Sequence, residues 1–218
     1  MGAPVPKVLL KPSTNQGTSS PSILQQTVSA FADDERCERI VVCVPGEWRP
    51  EFSDHLGDFP KTVITDGGAT RQESVLRGLE ALESLAGVGS ETVVLVHDAA
   101  RCCVSQAVID SVVSGVLEFG AVTAGVPVVD SLCRAQDGVI EGYVERANAW
   151  AVQTPQGFRL GELARAHREA VQGGHEALDD ASLVARLRSV RVVPGDRFNI
   201  KVTQPEDLSV AELVSGRR

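Results

Sequence analysis

The sequence predicts an α/β fold, a doubly wound and mostly parallel sheet in a single domain. Three observations carry this. Short β-branched runs alternate with helical patterns along the chain, the order that builds βαβ units. The length of 218 residues suits one such domain with a sizeable core. No internal repeat and no linker-like stretch divides the chain, so residues 1–218 are read as one domain.

The buried-strand candidates are Ile40–Val44, Thr62–Ile64, Thr92–His97, Ala121–Val126 and Val190–Val193. Helical spacing of apolar residues marks Ile23–Ala32, Glu73–Leu85, Ala107–Leu117, Leu160–Val171, Asp180–Leu187 and Glu206–Val214. Two of these helices have a Thr-x-x-Glu capping box at their start, Thr70 with Glu73 and Thr203 with Glu206. Two segments break the alternation. Lys11–Pro21 is polar and rich in breakers, so it is read as a loop. Asp130–Arg134 and Val139–Val144 are extended pieces joined through Asp137-Gly138, which predicts a hairpin. Such a hairpin either packs on another subunit or folds back on its own domain.

Composition excludes several function classes. The net charge is −8, which argues against a broad basic nucleic-acid surface. Lysine occurs only at Lys7, Lys11, Lys61 and Lys201, so positive charge for an anionic ligand must be local. No apolar run approaches the roughly 20 residues that cross a bilayer. Met1–Leu10 lacks the pattern of a secretory signal, and the chain is read as cytoplasmic. The five cysteines are odd in number and lack C-x-x-C spacing, which fits reduced thiols; Cys43, in an apolar run, reads as core filling.

Four short stretches hold candidate chemistry. In the first, the apolar run Val93–Val96 leads directly into His97-Asp98-Ala99-Ala100-Arg101. Ligands of open α/β sheets bind at the carboxyl ends of strands. A carboxylate there either holds a hard cation such as Mg²⁺ or caps the following turn, and the two alanines leave room for a base or ribose. The second is Thr65–Ser74, where Gly67-Gly68 feeds a capped helix. Its backbone N–H groups suit a phosphate or a polar base edge, and an ordinary loop is the alternative. The third is Lys201 in Asn199–Thr203, a lone cation between apolar residues that either snorkels or meets an anion. The fourth is Val152–Phe158, following Arg146, where Thr154 either bonds a phosphate oxygen or belongs to a simple turn.

The order and spacing of these stretches resemble one family. Asp66-Gly67-Gly68 with Arg71 and Ser74-Val75, Val96–Arg101, Val126–Ser131, Arg146…Trp150…Gln153–Phe158, Asp179–Ser182 and Asn199–Leu208 look like the successive signature blocks of the 2-C-methyl-D-erythritol 4-phosphate cytidylyltransferases, from about Pro6 to Val214. The resemblance implies a Rossmann-like nucleotidyltransferase fold. It also implies transfer of a cytidylyl group from CTP to the polyol phosphate, with Mg²⁺ present, in non-mevalonate isoprenoid synthesis. By the same resemblance, Lys7, Lys201 and Arg146 act in catalysis. Gly67, Gly68, Ser74, Asp98 and Ala99 bind the nucleotide, with Asp98 the metal ligand. Arg101, Ser131, Arg146, Thr154 and Lys201 surround the sugar phosphate. Ser131 stands where threonine is usual and Cys102 where proline is usual. The hairpin, about residues 130–150, becomes a homodimerisation arm that carries Arg146 to the partner's site.

The family's opening strand and glycine-rich loop, with its arginine, have no counterpart before Pro6-Lys7. Such a loop wraps the triphosphate, so its loss is expected to lower CTP affinity and rate. Two alternatives stay open on sequence: a cytidylyltransferase for ribitol or another polyol phosphate, and a catalytically impaired dimeric nucleotide binder.

Overall fold

The computed structural model describes residues 5–11 and 20–215. Most of the predicted loop Lys11–Pro21 lies outside the described residues. The strands are β1 (Ile40–Val44), β2 (Thr62–Asp66), β3 (Val93–Val96), β4 (Ala121–Pro127), β5 (Leu132–Gln136), β6 (Val139–Val144), β7 (Trp150–Arg159) and β8 (Arg191–Pro194). The α-helices are α1 (Ile23–Ala32), α2 (Arg49–Leu56), α3 (Arg71–Glu83), α4 (Gln106–Phe119), α5 (Leu160–Gly173), α6 (Asp180–Val184) and α7 (Pro205–Ser215). None is long and apolar enough to cross a membrane.

Alternation of side chains along the strands explains the double winding. On β3, Val94 and Val96 face a core made with Leu79 of α3 and Leu160, Leu163 and Ala164 of α5. Val93 and Leu95 point the other way, toward Val112 and Val116 of α4 and Phe31 of α1. On β1, Val42 and Val44 join Leu24 and Val28 of α1 and Phe52 of α2. A Cβ on Gly78 of α3 would come within 2.9 Å of Cys43 Sγ, on the opposite face of β1. Cys43 is therefore packing material, as its apolar run implied.

The strands form three ladders. β1 and β2 pair in parallel, β5 and β6 form the hairpin, and the largest sheet has the order β3-β7-β4-β8. In that sheet β4 and β8 are parallel, and only β7 runs against its neighbours. No ladder joins β1 to β3 among the described residues; α1 and α3 pack against both and hold the two sheets together.

Two elements depart from the sequence reading. α2 is an unpredicted short helix that buries only Phe52 and Leu56. β7 is the larger surprise: Val152–Phe158, read as a phosphate contact through Thr154 or a simple turn, belongs to an interior strand that is buried from Gln153 to Phe158. Its polar side chains are satisfied internally: Gln156 Nε2 donates to Thr123 Oγ1 at 3.0 Å and to Asp179 Oδ2 at 2.8 Å. Pro155, which has no N–H to give, lies where the β4–β7 register shifts. Gly157 is required there, since a Cβ would meet Val116 Cγ2 at 2.5 Å and Val112 Cγ1 at 2.6 Å.

The hairpin forms where Asp137-Gly138 predicts it. Asp137 (φ 49°) and Gly138 (φ 80°) both take positive φ, as a two-residue turn of the primed type needs. The capping box predicted for α3 forms in half: the Glu73 N–H donates to Thr70 Oγ1 at 3.1 Å, but the Glu73 carboxylate accepts from the Ala69 N–H and not from that of Thr70. The start of α7 departs from its predicted box. Asp207 rather than Glu206 closes it, accepting from the N–H groups of Thr203 at 2.7 Å and Gln204 at 2.8 Å.

Candidate active site

β3 leads into His97 and Asp98, and the chain is fixed there by β7. The Asp98 N–H donates to Thr154 Oγ1 at 3.0 Å. Thr154 Oγ1 lies 3.2 Å from His97 Nδ1, and His97 Nε2 lies 3.1 Å from the Arg101 carbonyl. A carbonyl only accepts, so the ring proton sits on Nε2 and Nδ1 accepts from the Thr154 hydroxyl. Burial pushes the His97 pKa down to about 4, in keeping with a neutral ring. Phe31 packs edge-on against that ring at 4.9 Å.

Three cations converge on the Asp98 carboxylate. Lys201 Nζ is 2.8 Å from Oδ2, Arg71 Nε is 3.3 Å from Oδ1, and Arg101 Nε is 3.8 Å from Oδ2. Burial acts to raise the Asp98 pKa, but Lys201, then Arg71 and Arg101, outweigh it and hold the group below its ordinary value. Of the two roles open to Lys201, snorkelling or meeting an anion, the structure shows the second. Its neighbours explain why: Asn199 Nδ2 donates to the Thr154 carbonyl at 2.8 Å, and the Val202 N–H donates to the Ala100 carbonyl at 2.8 Å. Both flanking residues are buried, so the lysine between them projects outward over Asp98. Arg101 Nη1 donates to the Asn199 carbonyl at 2.8 Å. Burial draws the Arg101 pKa below the usual guanidinium value, with Asp98 opposing.

The glycine loop corrects one expectation. Its N–H groups are engaged within the protein: Gly67 with the Val44 carbonyl at 2.7 Å, Gly68 with Ser74 Oγ at 3.0 Å, and Ala69 with Glu73 Oε2 at 2.7 Å. The loop therefore offers shape in place of free donors, and the Gly67 carbonyl accepts from Arg77 Nη1 at 2.6 Å. Space explains Gly68, where a Cβ would sit 2.2 Å from Glu73 Cβ and 3.0 Å from that residue's backbone carbon. The Ser74 hydroxyl also donates to the Thr70 carbonyl at 2.9 Å, so it braces the loop.

The remaining predicted residues divide by place. Thr154 is buried at the centre, with its hydroxyl committed to Asp98 and His97. Ala99 follows Asp98 and its carbonyl accepts from Thr27 Oγ1 at 2.8 Å. Ala100 is buried with Cys102 and Cys103 in the interior, so only one of the two alanines is placed to face a ligand. Lys7 is exposed in a short 3₁₀ turn, Lys7–Leu9, and acts electrostatically on Asp207 at the start of α7. Ser131 and Arg146 lie exposed on or beside the hairpin, where Arg146 Nη1 donates to the Val129 carbonyl at 3.2 Å. No hydrogen bond or ion pair among the described residues ties either one to the Asp98 cluster.

The sequence reading assigns no role to Arg71, Asp180 or Asn199, though all three fall inside the blocks it singles out. The signal available for Arg71 is a cation in the first turn of α3, where the helix dipole offers it nothing favourable.

Comparison with known proteins agrees with this geometry. Residues 4–217 match the family model for 2-C-methyl-D-erythritol 4-phosphate cytidylyltransferase. The enzyme of that name from Geobacillus kaustophilus is 40% identical over 200 residues, covering 90% of this chain and 85% of its own length. The one from Bacillus mycoides is 41% identical over 194 residues, covering 87% and 83%. Among solved structures, the Francisella tularensis 2-C-methyl-D-erythritol 4-phosphate cytidylyltransferase has a TM-score of 0.82 at 28% identity, covering 96% of this chain and 93% of its own. The enzyme of the same name from Thermus thermophilus has a TM-score of 0.76 at 33% identity, covering 96% and 93%. A carboxylate ringed by basic side chains at the carboxyl end of β3, in a chain matched over nearly its whole length, places this protein in the 2-C-methyl-D-erythritol 4-phosphate cytidylyltransferase family.

Proposed function

We propose that the chain transfers the cytidylyl group of CTP to 2-C-methyl-D-erythritol 4-phosphate, releasing pyrophosphate and forming CDP-methylerythritol for isoprenoid precursor synthesis. The observation that carries this reading is the Asp98 cluster, with Lys201, Arg71 and Arg101 around one carboxylate at the carboxyl end of a strand. A phosphate oxygen of the polyol phosphate forms a bond to the α-phosphorus, and the bond from that phosphorus to the bridging oxygen of the β-phosphate breaks. Positioning and charge neutralisation supply most of what such a reaction needs. Lys201, 42% exposed, is the cation best placed to meet a phosphoryl oxygen. Arg101 is held by the Asn199 carbonyl and turns a fixed positive charge to the same place.

The residues fit a divalent cation that arrives with the triphosphate. Mg²⁺ accepts one or two carboxylates and takes its other ligands from phosphate and water, and Asp98 offers one carboxylate that is 15% exposed. Among the described residues no group of three or more His, Cys, Asp or Glu forms a free-standing cage. When bound, the cation would withdraw charge from the phosphates.

The arm supports a homodimer. A lone two-stranded hairpin is marginal in water, and this one exposes Val139 at 68%, Ile140 at 52% and Tyr143 at 69%. A second copy covering these side chains would bring Arg146 to the neighbouring site. Sedimentation of Tyr143→Glu tests this: a shift from dimer to monomer supports it, and an unchanged mass refutes it.

Pyrophosphate release with CTP and Mg²⁺ decides the function. Turnover with 2-C-methyl-D-erythritol 4-phosphate well above that with D-ribitol 5-phosphate supports the proposal. A preference for ribitol phosphate, or saturable CTP binding without turnover, overturns it.

A further inference from the structure

Behind the Asp98 cluster lies a second, buried set of polar groups, joined to it through Arg71. Arg71 reaches both ways. Its Nε faces Asp98 Oδ1 at 3.3 Å, and its Nη1 lies 2.8 Å from Asp180 Oδ2. This second contact is an ion pair without hydrogen-bonding alignment, since Oδ2 meets no well-angled donor. The other oxygen, Asp180 Oδ1, lies 2.9 Å from His167 Nε2. The side chains of Asp180 and His167 are each 1% exposed.

The position of Asp180 is over-determined. Asp179 caps α6, with the Ser182 N–H donating to Asp179 Oδ1 at 2.8 Å. Gln156 of β7 then grips both ends of that cap, donating to Asp179 Oδ2 and accepting from the Ala181 N–H at 2.8 Å. β7 also carries Thr154, which fixes the Asp98 main chain. One strand therefore locates both carboxylates that Arg71 bridges. A buried carboxylate is costly unless it is paired, and packing alone has no need of one here. His167 and Arg71 supply the pairing, and Arg71 is the side chain that carries it to the Asp98 carboxylate.

We propose that Asp180, backed by His167, is a positioning residue for cytidylyl transfer that holds the Arg71 guanidinium against Asp98 and so fixes the orientation of that carboxylate. The role rests on the functional reading above. Lys201 can follow a phosphate, while Arg71 is anchored at its far end. Partners of this outer kind are commonly worth about 10- to 100-fold in activity or metal affinity.

The test is Asp180→Asn in the full ¹⁵N-labelled 218-residue protein, with the Arg71 Nε–H resonance assigned through Arg71→Lys. The expected result has two parts. In metal-free protein the Arg71 resonance moves or broadens away. With CTP and 2-C-methyl-D-erythritol 4-phosphate, kcat falls by about 10- to 100-fold while KM for CTP stays within about threefold. Arg71→Lys shows a comparable loss, and the double variant loses no more than the worse single one. An unmoved resonance, or kcat within about twofold of the parent, overturns the proposal. If Asp180→Asn fails to fold, His167→Phe removes the N–H donor behind Asp180 and is read in the same two ways. A folded parent chain that turns over no CTP contradicts the functional reading alone, and the resonance still decides whether Asp180 positions Arg71.

Discussion

Thr154→Val isolates the brace beneath the site. Valine nearly matches threonine in shape, so the change removes one hydroxyl and leaves the packing. That hydroxyl accepts from the Asp98 N–H at 3.0 Å and donates to His97 Nδ1 at 3.2 Å. Without it, a half-buried N–H and a half-buried ring nitrogen both lose their partner. A fully buried orphan costs about 1–3 kcal/mol, so the two together should cost the variant about 2–3 kcal/mol of stability. That is a sizeable part of the roughly 5–15 kcal/mol typical of a whole domain. Urea denaturation reads it as a lower midpoint at unchanged slope. The freed end of β3 also shifts Asp98 relative to Lys201, and a displacement of about 1 Å can cost about 100-fold in rate. Thr154→Ser, which keeps the hydroxyl, should retain most of both properties. A valine variant within about 0.5 kcal/mol of the parent, with unchanged kcat/KM, would refute the reasoning.

Packing and charge supply two more expectations. Gly157→Ala should destabilise by about 1–3 kcal/mol, because its Cβ meets Val116 Cγ2 and Val112 Cγ1 inside normal contact distance; a thermal melt that matches the parent contradicts this. Asp34 reports on acid stability. The Arg36 guanidinium beside it, aided by Gln106 and against the effect of burial, holds its carboxyl well below the usual carboxylate range. A depressed folded-state value contributes stability that is complete above the unfolded value of about 3.9 and is lost as pH falls below it. Asp34→Asn should therefore flatten the acid limb of the stability curve below about pH 4; an unchanged limb contradicts the assignment.

What is legible in the sequence follows from which signals are local. The strands β1 and β3 are short runs made mostly of β-branched residues, and β4 carries Val122, Thr123 and Val126 in a stretch free of charge, so all three announce themselves. β7 does not, because Gln153, Thr154, Pro155, Gln156 and Gly157 resemble turn residues. Their polar groups find partners on β4, on α6 and on the Asn199 segment, which are distant in sequence. α2 escapes a periodicity reading because only Phe52 and Leu56 are buried, too few for a signal. In the site, the strand-end position of Asp98 and the isolation of Lys201 between apolar residues are both visible. Their meeting at 2.8 Å joins segments far apart along the chain and is not. The glycine loop misleads for a partly local reason: the Gly68 and Ala69 N–H groups are consumed by Ser74 and Glu73, a few residues away on α3, while that of Gly67 goes to Val44 at the end of β1.

The central claim is that this chain carries out cytidylyl transfer at the Asp98–Lys201 cluster, and Lys201→Met tests it most directly. The side chain is partly exposed and makes its ion pair only with Asp98 among the described residues, so its loss should leave folding near that of the parent. Phosphorus NMR of CTP, Mg²⁺, 2-C-methyl-D-erythritol 4-phosphate and the parent chain should show pyrophosphate and a new diphosphate diester growing together. In Lys201→Met the same signals should grow at least about 100-fold more slowly. A folded parent that forms no diester, or a Lys201→Met variant as fast as the parent, would contradict the account.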